Sequence, residues 1–292
     1  MQSPRGIGWN HQVNHVPAAP RQSRCLFILI SSLRAACHAV LFEVARLYVW
    51  YNPACSSVTV GTRSYAARCA DTIAFIGLSY WGLNACYFAM AAGSVALGLH
   101  EPRMWPDLFG SWRDAYTVRR AWGRTWHQNL RWLLAPLGEV TSFVLGFKRG
   151  TSGSFYAQIY AAFLFSGLVH SGGDIVLSGS STSAHSRPFF SMSFFFSQAV
   201  VITLEDISIR TARRLGVKDS IWTRALGFVW VAIWFGWCVP EFVENMIRAG
   251  GGIRSSASRV GGNDMGLNLV QAAMVGIFVF DTGEFAESWF GV

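Results

Sequence analysis

Charge is what this sequence has least of. Asp, Glu, Lys and Arg make up only 14% of its 292 residues, against about 25% in an ordinary soluble domain. The metal and catalytic signatures of familiar soluble enzymes are missing too. There is no CxxC pair, no HExxH and no Cys/His cluster with zinc spacing, so the chain is expected to bind no metal. There is no GxSxG nucleophile elbow and no Walker phosphate loop, and Gly6-Ile7-Gly8 is too sparse for a dinucleotide fingerprint. No internal repeat is visible. Residues 1–24 are polar and basic and do not read as a cleavable signal peptide. The six cysteines lie apart: Cys37 and Cys86 inside apolar blocks and Cys25 and Cys238 at their ends read as small buried hydrophobes, while Cys55 and Cys69 share one loop.

What the sequence does have is apolar surface in long blocks. Hydrophobic residues reach 52% and the mean hydropathy is +0.31. Segments 26–50, 73–99, 155–177, 188–209 and 221–243 are each long enough to cross a bilayer, at about 20 residues per crossing. Segment 268–290 is a weaker candidate that carries Asp281, Glu284 and Glu287. Segment 133–147 is short, contains Pro136 and Glu139, and reads as re-entrant or interfacial. Residues 244–267 are rich in Gly and Ser and read as a flexible loop.

The net charge of +8 lies mostly in arginines between these blocks. That pattern fits cytoplasmic loops obeying the positive-inside rule, not nucleic-acid binding. If 133–147 does not cross, the most basic stretches, 1–25, 100–154 and 210–220, fall on one side. The reading is an all-α integral membrane protein: one multi-pass helical bundle over 1–292, with about six to seven spans, a re-entrant or interfacial segment and membrane lipid around it.

Ionisable residues inside apolar blocks each cost at least about 2.5 kcal/mol at the bilayer centre unless they are partnered or hydrated. His170 lies in such a block, with Asp174 one turn later and placed to orient the ring. A histidine there suits proton transfer at neutral pH; it equally suits a hydrogen-bonded role between helices. The run from Arg119 to Asn129 holds Arg119, Arg120, Arg124, Trp122, Trp126, His127 and Asn129, and its composition also fits an amphipathic interfacial helix. Glu205-Asp206 and Pro240-Glu241, with Glu244 one turn on, read as helix ends reaching water. Glu43 and Arg46, three apart, are placed to pair. A proton- or ion-coupled transporter using His170, Asp174 and Glu205 is therefore one alternative.

Arg5-Gly6-Ile7-Gly8-Trp9-Asn10, Trp105-Pro106-Asp107-Leu108-Phe109-Gly110 and Trp122-Gly123-Arg124-Thr125-Trp126-His127-Gln128, in that order, resemble the fungal wax-synthase-like branch of the membrane-bound O-acyltransferases. Ser166 to His170 and Gln198 to Asp206 fit the same pattern. The resemblance departs at His11, where the family would have an aromatic residue, and at Asn14, where it would have a basic one. Further helices usually precede the first motif, so an N-terminally shortened chain is expected. The resemblance implies transfer of an acyl group, often acetyl, from acyl-CoA as co-substrate to a hydroxyl of a lipophilic acceptor such as a terpenoid. A long-chain alcohol, as in wax-ester synthesis, is the alternative acceptor. The resemblance implies His170 as general base and His127, with Asn129, as the partner that positions the thioester or stabilises the oxyanion. Arg119, Arg120 and Arg124, with Trp126, would face the coenzyme A phosphates. The endoplasmic reticulum is the expected membrane.

Overall fold

The computed structural model describes residues 5–7, 12, 14–52, 64–126, 128, 129, 131–179 and 189–250. Among these residues the chain is helical and contains no strand: α1 (Arg24–Tyr51), α2 (Tyr65–Ala96), α3 (Val118–Arg120), α4 (Arg131–Val144), α5 (Ser152–Gly179), α6 (Phe190–Arg214) and α7 (Ile221–Gly250). Among the described residues four stretches are long and apolar enough to cross a membrane: α1, α2, α6 and Ile221–Met246 of α7; the expected span 155–177 falls in α5, which is not one of them. Segment 268–290 lies outside the described residues.

The apolar faces say what surrounds these helices. Leu29, Leu33, Val40 and Val44 on α1 and Trp222, Leu226, Val229 and Ile233 on α7 are all more than half exposed. A water-soluble monomer rarely leaves continuous apolar strips of this size uncovered, whereas lipid solvates them. Cys25, Cys37 and Cys86 are exposed, contrary to the expectation that they are buried; Cys238 is buried as expected. Cys69 is a free thiol, and Cys55 lies outside the described residues.

α4 is short, as its sequence predicts. Its 14 residues span about 21 Å at 1.5 Å per residue, short of a hydrocarbon core of about 30 Å. Two expectations fail. Residues 244–250 are not loop: they continue α7. The arginine- and tryptophan-rich run after 118 is not a continuous amphipathic helix. It is the short α3 followed by a π turn, Ala121–Thr125.

The chain packs as two compact units. One contains 19–105 with the described parts of 175–188 and 243–292. Here α1 and α2 form an antiparallel pair. Phe27 near the start of α1 meets Ala91 and Val95 near the end of α2, while Ala45 and Val49 meet Ala74 and Leu78. α1 ends at Asn52, which is extended (φ −81°, ψ 110°) because Pro53 follows. The Asn52 amide and the Tyr48 hydroxyl both donate to Asp71 Oδ1, at 2.8 and 2.9 Å, so the carboxylate is partnered inside the pair. The predicted Glu43–Arg46 pair forms, at 2.7 Å. Glu244 is not a helix end in water: it is buried and ion-paired with Arg68 of α2.

The other unit contains 106–174 and 189–242 with the described part of 1–18. Its core joins Val118, Val201, Ile202 and Val231, with Trp122, Phe163, Trp234 and Phe235 packed around them. Two glycines permit close approach. A Cβ on Gly110 would lie 1.9 Å from the Arg124 carbonyl oxygen, and one on Gly227 would lie 2.2 Å from that of Tyr116. No other residue fits at either contact.

Candidate active site

One stripe of α6 organises the second unit. Ser191, Phe195, Gln198, Ile202 and Glu205 recur at spacings of three and four, the period of one helix face, and all five are buried. Each holds something different.

Ser191 receives Asp174. The carboxylate accepts from the Ser191 backbone N–H at 2.9 Å and from its hydroxyl at 2.7 Å. It therefore caps the first turn of α6, where backbone N–H groups lack helical partners. Both of its oxygens serve this cap, so the hydrogen bonding of Asp174 runs to α6. Sequence reasoning had cast it as the residue that orients His170.

Phe195 carries His170. The two rings stack with centroids 4.6 Å apart and planes inclined at 17°. Gly167, one turn before His170, lets α5 approach Met192 and Phe195 closely. The imidazole is half-buried on this aromatic floor.

Gln198 is fully buried and holds two tryptophans. Its side-chain oxygen accepts from Trp122 Nε1 at 3.2 Å and from Trp234 Nε1 at 3.0 Å. Its amide nitrogen donates to the Phe194 carbonyl at 3.2 Å and to Ser197 Oγ at 3.3 Å. Leaving a buried indole N–H without a partner costs about 1–3 kcal/mol, so this oxygen fixes both indoles. The Trp122 ring meets Trp126, Phe163, Phe194, Phe195 and Phe235 at centroid distances between 5.9 and 6.4 Å.

Glu205 is buried, not a helix end in water. It accepts from the Val118 N–H at 2.7 Å, the Arg119 N–H at 3.4 Å and Trp230 Nε1 at 3.1 Å. It thereby caps α3, the entry to the motif run. Its neighbour Asp206 takes the Tyr156 hydroxyl at 2.8 Å and pairs with Arg210 at 2.7 Å.

The motif run itself is a π turn closed by the Trp126 N–H on the Ala121 carbonyl, at 2.8 Å. Such turns leave backbone carbonyls without regular helical partners, and they recur at functional sites. Gln128 and Arg131 supply the partners here. Gln128 Nε2 donates to the Trp126 carbonyl at 2.8 Å and to that of Trp122 at 3.4 Å. Arg131 Nη1 donates to the Gly123 carbonyl at 2.9 Å and to Gln128 Oε1 at 2.8 Å. Asn129 sits half-buried in the turn after Gln128. His127 lies outside the described residues.

Two of the three candidate arginines, Arg119 and Arg120, have local contacts. The Arg119 guanidinium lies over Phe155 at 4.4 Å, and that of Arg120 over Tyr116 at 4.2 Å, with Asp114 3.6 Å away. Arg124 is half-buried at the π turn. Burial, and then the charge of Arg119, lowers the pKa of Arg131 from the ordinary guanidinium value. His15, in the left-handed region at φ 67°, is held below the usual imidazole range. The largest cause is burial, followed by the positive charges of Arg124, Arg131, Arg120 and Arg119. His15, itself exposed, thus feels the positive charge of four arginines.

The N-terminal motif also docks here. Arg5 is almost fully buried, and its guanidinium donates to the carbonyls of Asp107 and Pro106 at 2.7 and 2.9 Å. Two of the sequence motifs therefore touch. A separate cavity of about 490 Å³ is lined by residues of the α4–α5 region, including Ser142, Phe143, Ser154 and Gln158; neither His170 nor Trp122 lines it.

Sequence reasoning missed Phe195, Ser191, Gln128 and Arg131, and it saw Gln198 only as the start of a motif. The three-and-four spacing along α6 was the available signal. The carbonyl partners of the π turn had none.

Helices of membrane length with lipid-type faces, and a polar, aromatic-walled site within them, define an integral membrane protein. Residues 105–197, which include most of the site, match the model of the membrane bound O-acyl transferase family. Over 254 residues the chain is 35% identical to Acetyltransferase ple2 of Rhodocybe pseudopiperita, covering 86% of this chain and 66% of that one. It is 34% identical to Acetyltransferase aurG of Calcarisporium arbuscula over 174 residues, 59% of this chain and 42% of that one. It is 27% identical to Acetyltransferase eriL of Hericium erinaceus over 256 residues, 86% and 65% of the two chains. These matches support the membrane bound O-acyl transferase family as the family of this chain. The chain spans about two thirds or less of the length of these relatives. No solved structure matches it at a significant level.

Proposed function

We propose that this chain is an O-acyltransferase of the fungal wax-synthase-like branch, moving an acetyl group from acetyl-CoA to a hydroxyl of a lipophilic acceptor. The observation that carries the reading is His170, held flat on Phe195 inside the segment that matches the family model. The acetyltransferase names of the relatives support acetyl as the acyl group.

His170 takes the proton from the acceptor hydroxyl as its oxygen attacks the thioester carbonyl carbon. The tetrahedral oxyanion collapses, the carbon–sulfur bond breaks, and the coenzyme A thiolate recovers the proton. No covalent acyl-enzyme is needed. His127 and Asn129 stabilise the oxyanion or hold the thioester. Arg119, Arg120 and Arg124, with Trp126, receive the phosphates and adenine of the coenzyme. A terpenoid or similar secondary metabolite is the proposed acceptor, ahead of a long-chain alcohol, and the endoplasmic reticulum the proposed membrane. The transporter alternative is weaker, because Asp174 and Glu205, the acids it needs, are both tied to helix caps.

The test is expression in microsomes with labelled acetyl-CoA and a panel of hydroxylated terpenoids and fatty alcohols. Labelled ester from a terpenoid supports the reading. Ester from the fatty alcohols alone moves the acceptor class, and uptake of substrate without ester contradicts the enzyme.

A further inference from the structure

We infer that Gln198 is a positioning residue of the acyl-transfer site, aligning the Trp122 side of that site with the Phe195 ring on which His170 rests. The inference builds on the acyltransferase reading and adds a residue to which that reading gives no role.

Three observations carry it. First, the orientation of the amide is fixed by its neighbours. Its oxygen accepts from two indole N–H groups, at 3.2 and 3.0 Å. Its nitrogen donates to the Phe194 carbonyl and Ser197 Oγ, at 3.2 and 3.3 Å. A flip would point an NH2 group at two donors and turn the oxygen toward a carbonyl, so only one orientation satisfies the site. Second, Gln198 is fully buried, where each bond is strong and each lost partner costly. Third, its two ends reach both halves of the proposed chemistry. Trp122 lies in the π turn that leads toward Asn129, and its ring packs on Phe195 at 6.0 Å. Phe195 stands one turn before Gln198 on the same face of α6 and carries the His170 imidazole at 4.6 Å. A rotation of Trp122 therefore disturbs the histidine floor and the motif turn together.

A simple packing residue would be served equally well by an isosteric apolar side chain. Gln198 would not. Gln198→Met keeps the volume and removes the acceptor, while Gln198→Glu, held neutral by its burial, keeps a carbonyl acceptor for the two indoles and an O–H donor for the Phe194 carbonyl. The experiment measures acetyl transfer by wild type and both variants in the same membranes. Trp122→Phe, which keeps the ring core and deletes the donor, stands in if Gln198→Met fails to accumulate. The expected result for Gln198→Met is a kcat at least about tenfold lower with KM for acetyl-CoA within about twofold, the pattern of an interaction acting at the transition state. Gln198→Glu should recover most of that loss. In parallel, 15N-indole spectra of the 13 tryptophans should show two resonances moving in Gln198→Met and returning toward wild type in Gln198→Glu. Wild-type kcat in Gln198→Met, or equal loss in Met and Glu variants, overturns the positioning role while leaving the acyltransferase reading intact. Absence of transfer by the wild type to any acceptor removes that reading and this role together.

Discussion

The imidazole of His170 lies flat against Phe195, centroids 4.6 Å apart and planes 17° from parallel. A ring stacked in this way is restrained in orientation without being hydrogen-bonded by the residue that restrains it. Phe195 itself takes up neither ring nitrogen.

Phe195 should therefore affect rate more than binding. Phe195→Leu keeps an apolar side chain but removes the flat face. We expect a kcat about tenfold lower, or about 1.4 kcal/mol in the barrier, with KM for acetyl-CoA little changed. Steady-state kinetics in microsomes checks this. A rise in KM alone would place Phe195 in donor binding.

Asp174 and Ser191 act as one unit at the start of α6. Each of Asp174→Asn and Ser191→Ala should lower the melting temperature of the purified protein, and the double variant should cost less than the sum. Losing such a cap is worth about 0.5–2 kcal/mol. Additive effects would show that the carboxylate is doing something else, with the orientation of His170 the first alternative.

Glu205 bridges α6, α3 and α7 through the Val118 N–H and the Trp230 indole. Glu205→Leu strips both donors of their partner, at about 1–3 kcal/mol each. Glu205→Gln retains an acceptor oxygen. Thermal denaturation should rank wild type above Gln and Gln well above Leu. Equal stability of Gln and Leu variants would contradict the bridging role.

His15 reports on the arginine cluster. Burial and the charges of Arg124, Arg131, Arg120 and Arg119 hold its pKa below 6.5. The folded state therefore binds this proton less readily than the unfolded chain, so the effect on stability is absent well above pH 6.5 and becomes a penalty as pH falls below it. An anion seated among the arginines cancels the charge part of the effect. Adding 3′,5′-ADP or coenzyme A should raise the His15 pKa in an NMR titration, and binding should tighten toward low pH. An unchanged His15 titration at saturating nucleotide would move the phosphate site elsewhere.

How far the sequence was legible depended on the scale of the physics. Long apolar blocks fixed α1, α2, α6 and α7 because membrane-length helices need only length and hydropathy. The shortness of α4 was legible for the same reason. The role of Glu205 was not, because a glutamate near the end of an apolar run looks the same in water as under a helix N-terminus 87 residues earlier in the chain. Glu244 was misread in the same way, since its partner Arg68 is far away in sequence. The π turn at Ala121–Thr125 was invisible because composition there suits an ordinary amphipathic helix. What breaks that helix is tertiary: Gly110 against Arg124, and Gln128 and Arg131 on the freed carbonyls. His170 and the arginines stood out as candidates because costly polar groups are conspicuous in an apolar chain; the aromatic floor and the glutamine beneath them did not.

The most direct measurement compares acetyl transfer by wild type and His170→Ala at equal protein levels in membranes, with labelled acetyl-CoA and a hydroxylated terpenoid that the wild type accepts. Loss of a general base predicts a fall in kcat of about 10²–10⁴-fold with the protein still folded and membrane-inserted. Transfer by His170→Ala within about twofold of wild type, a barrier change of only about 0.4 kcal/mol, would contradict His170 as the base and with it the site built around Phe195.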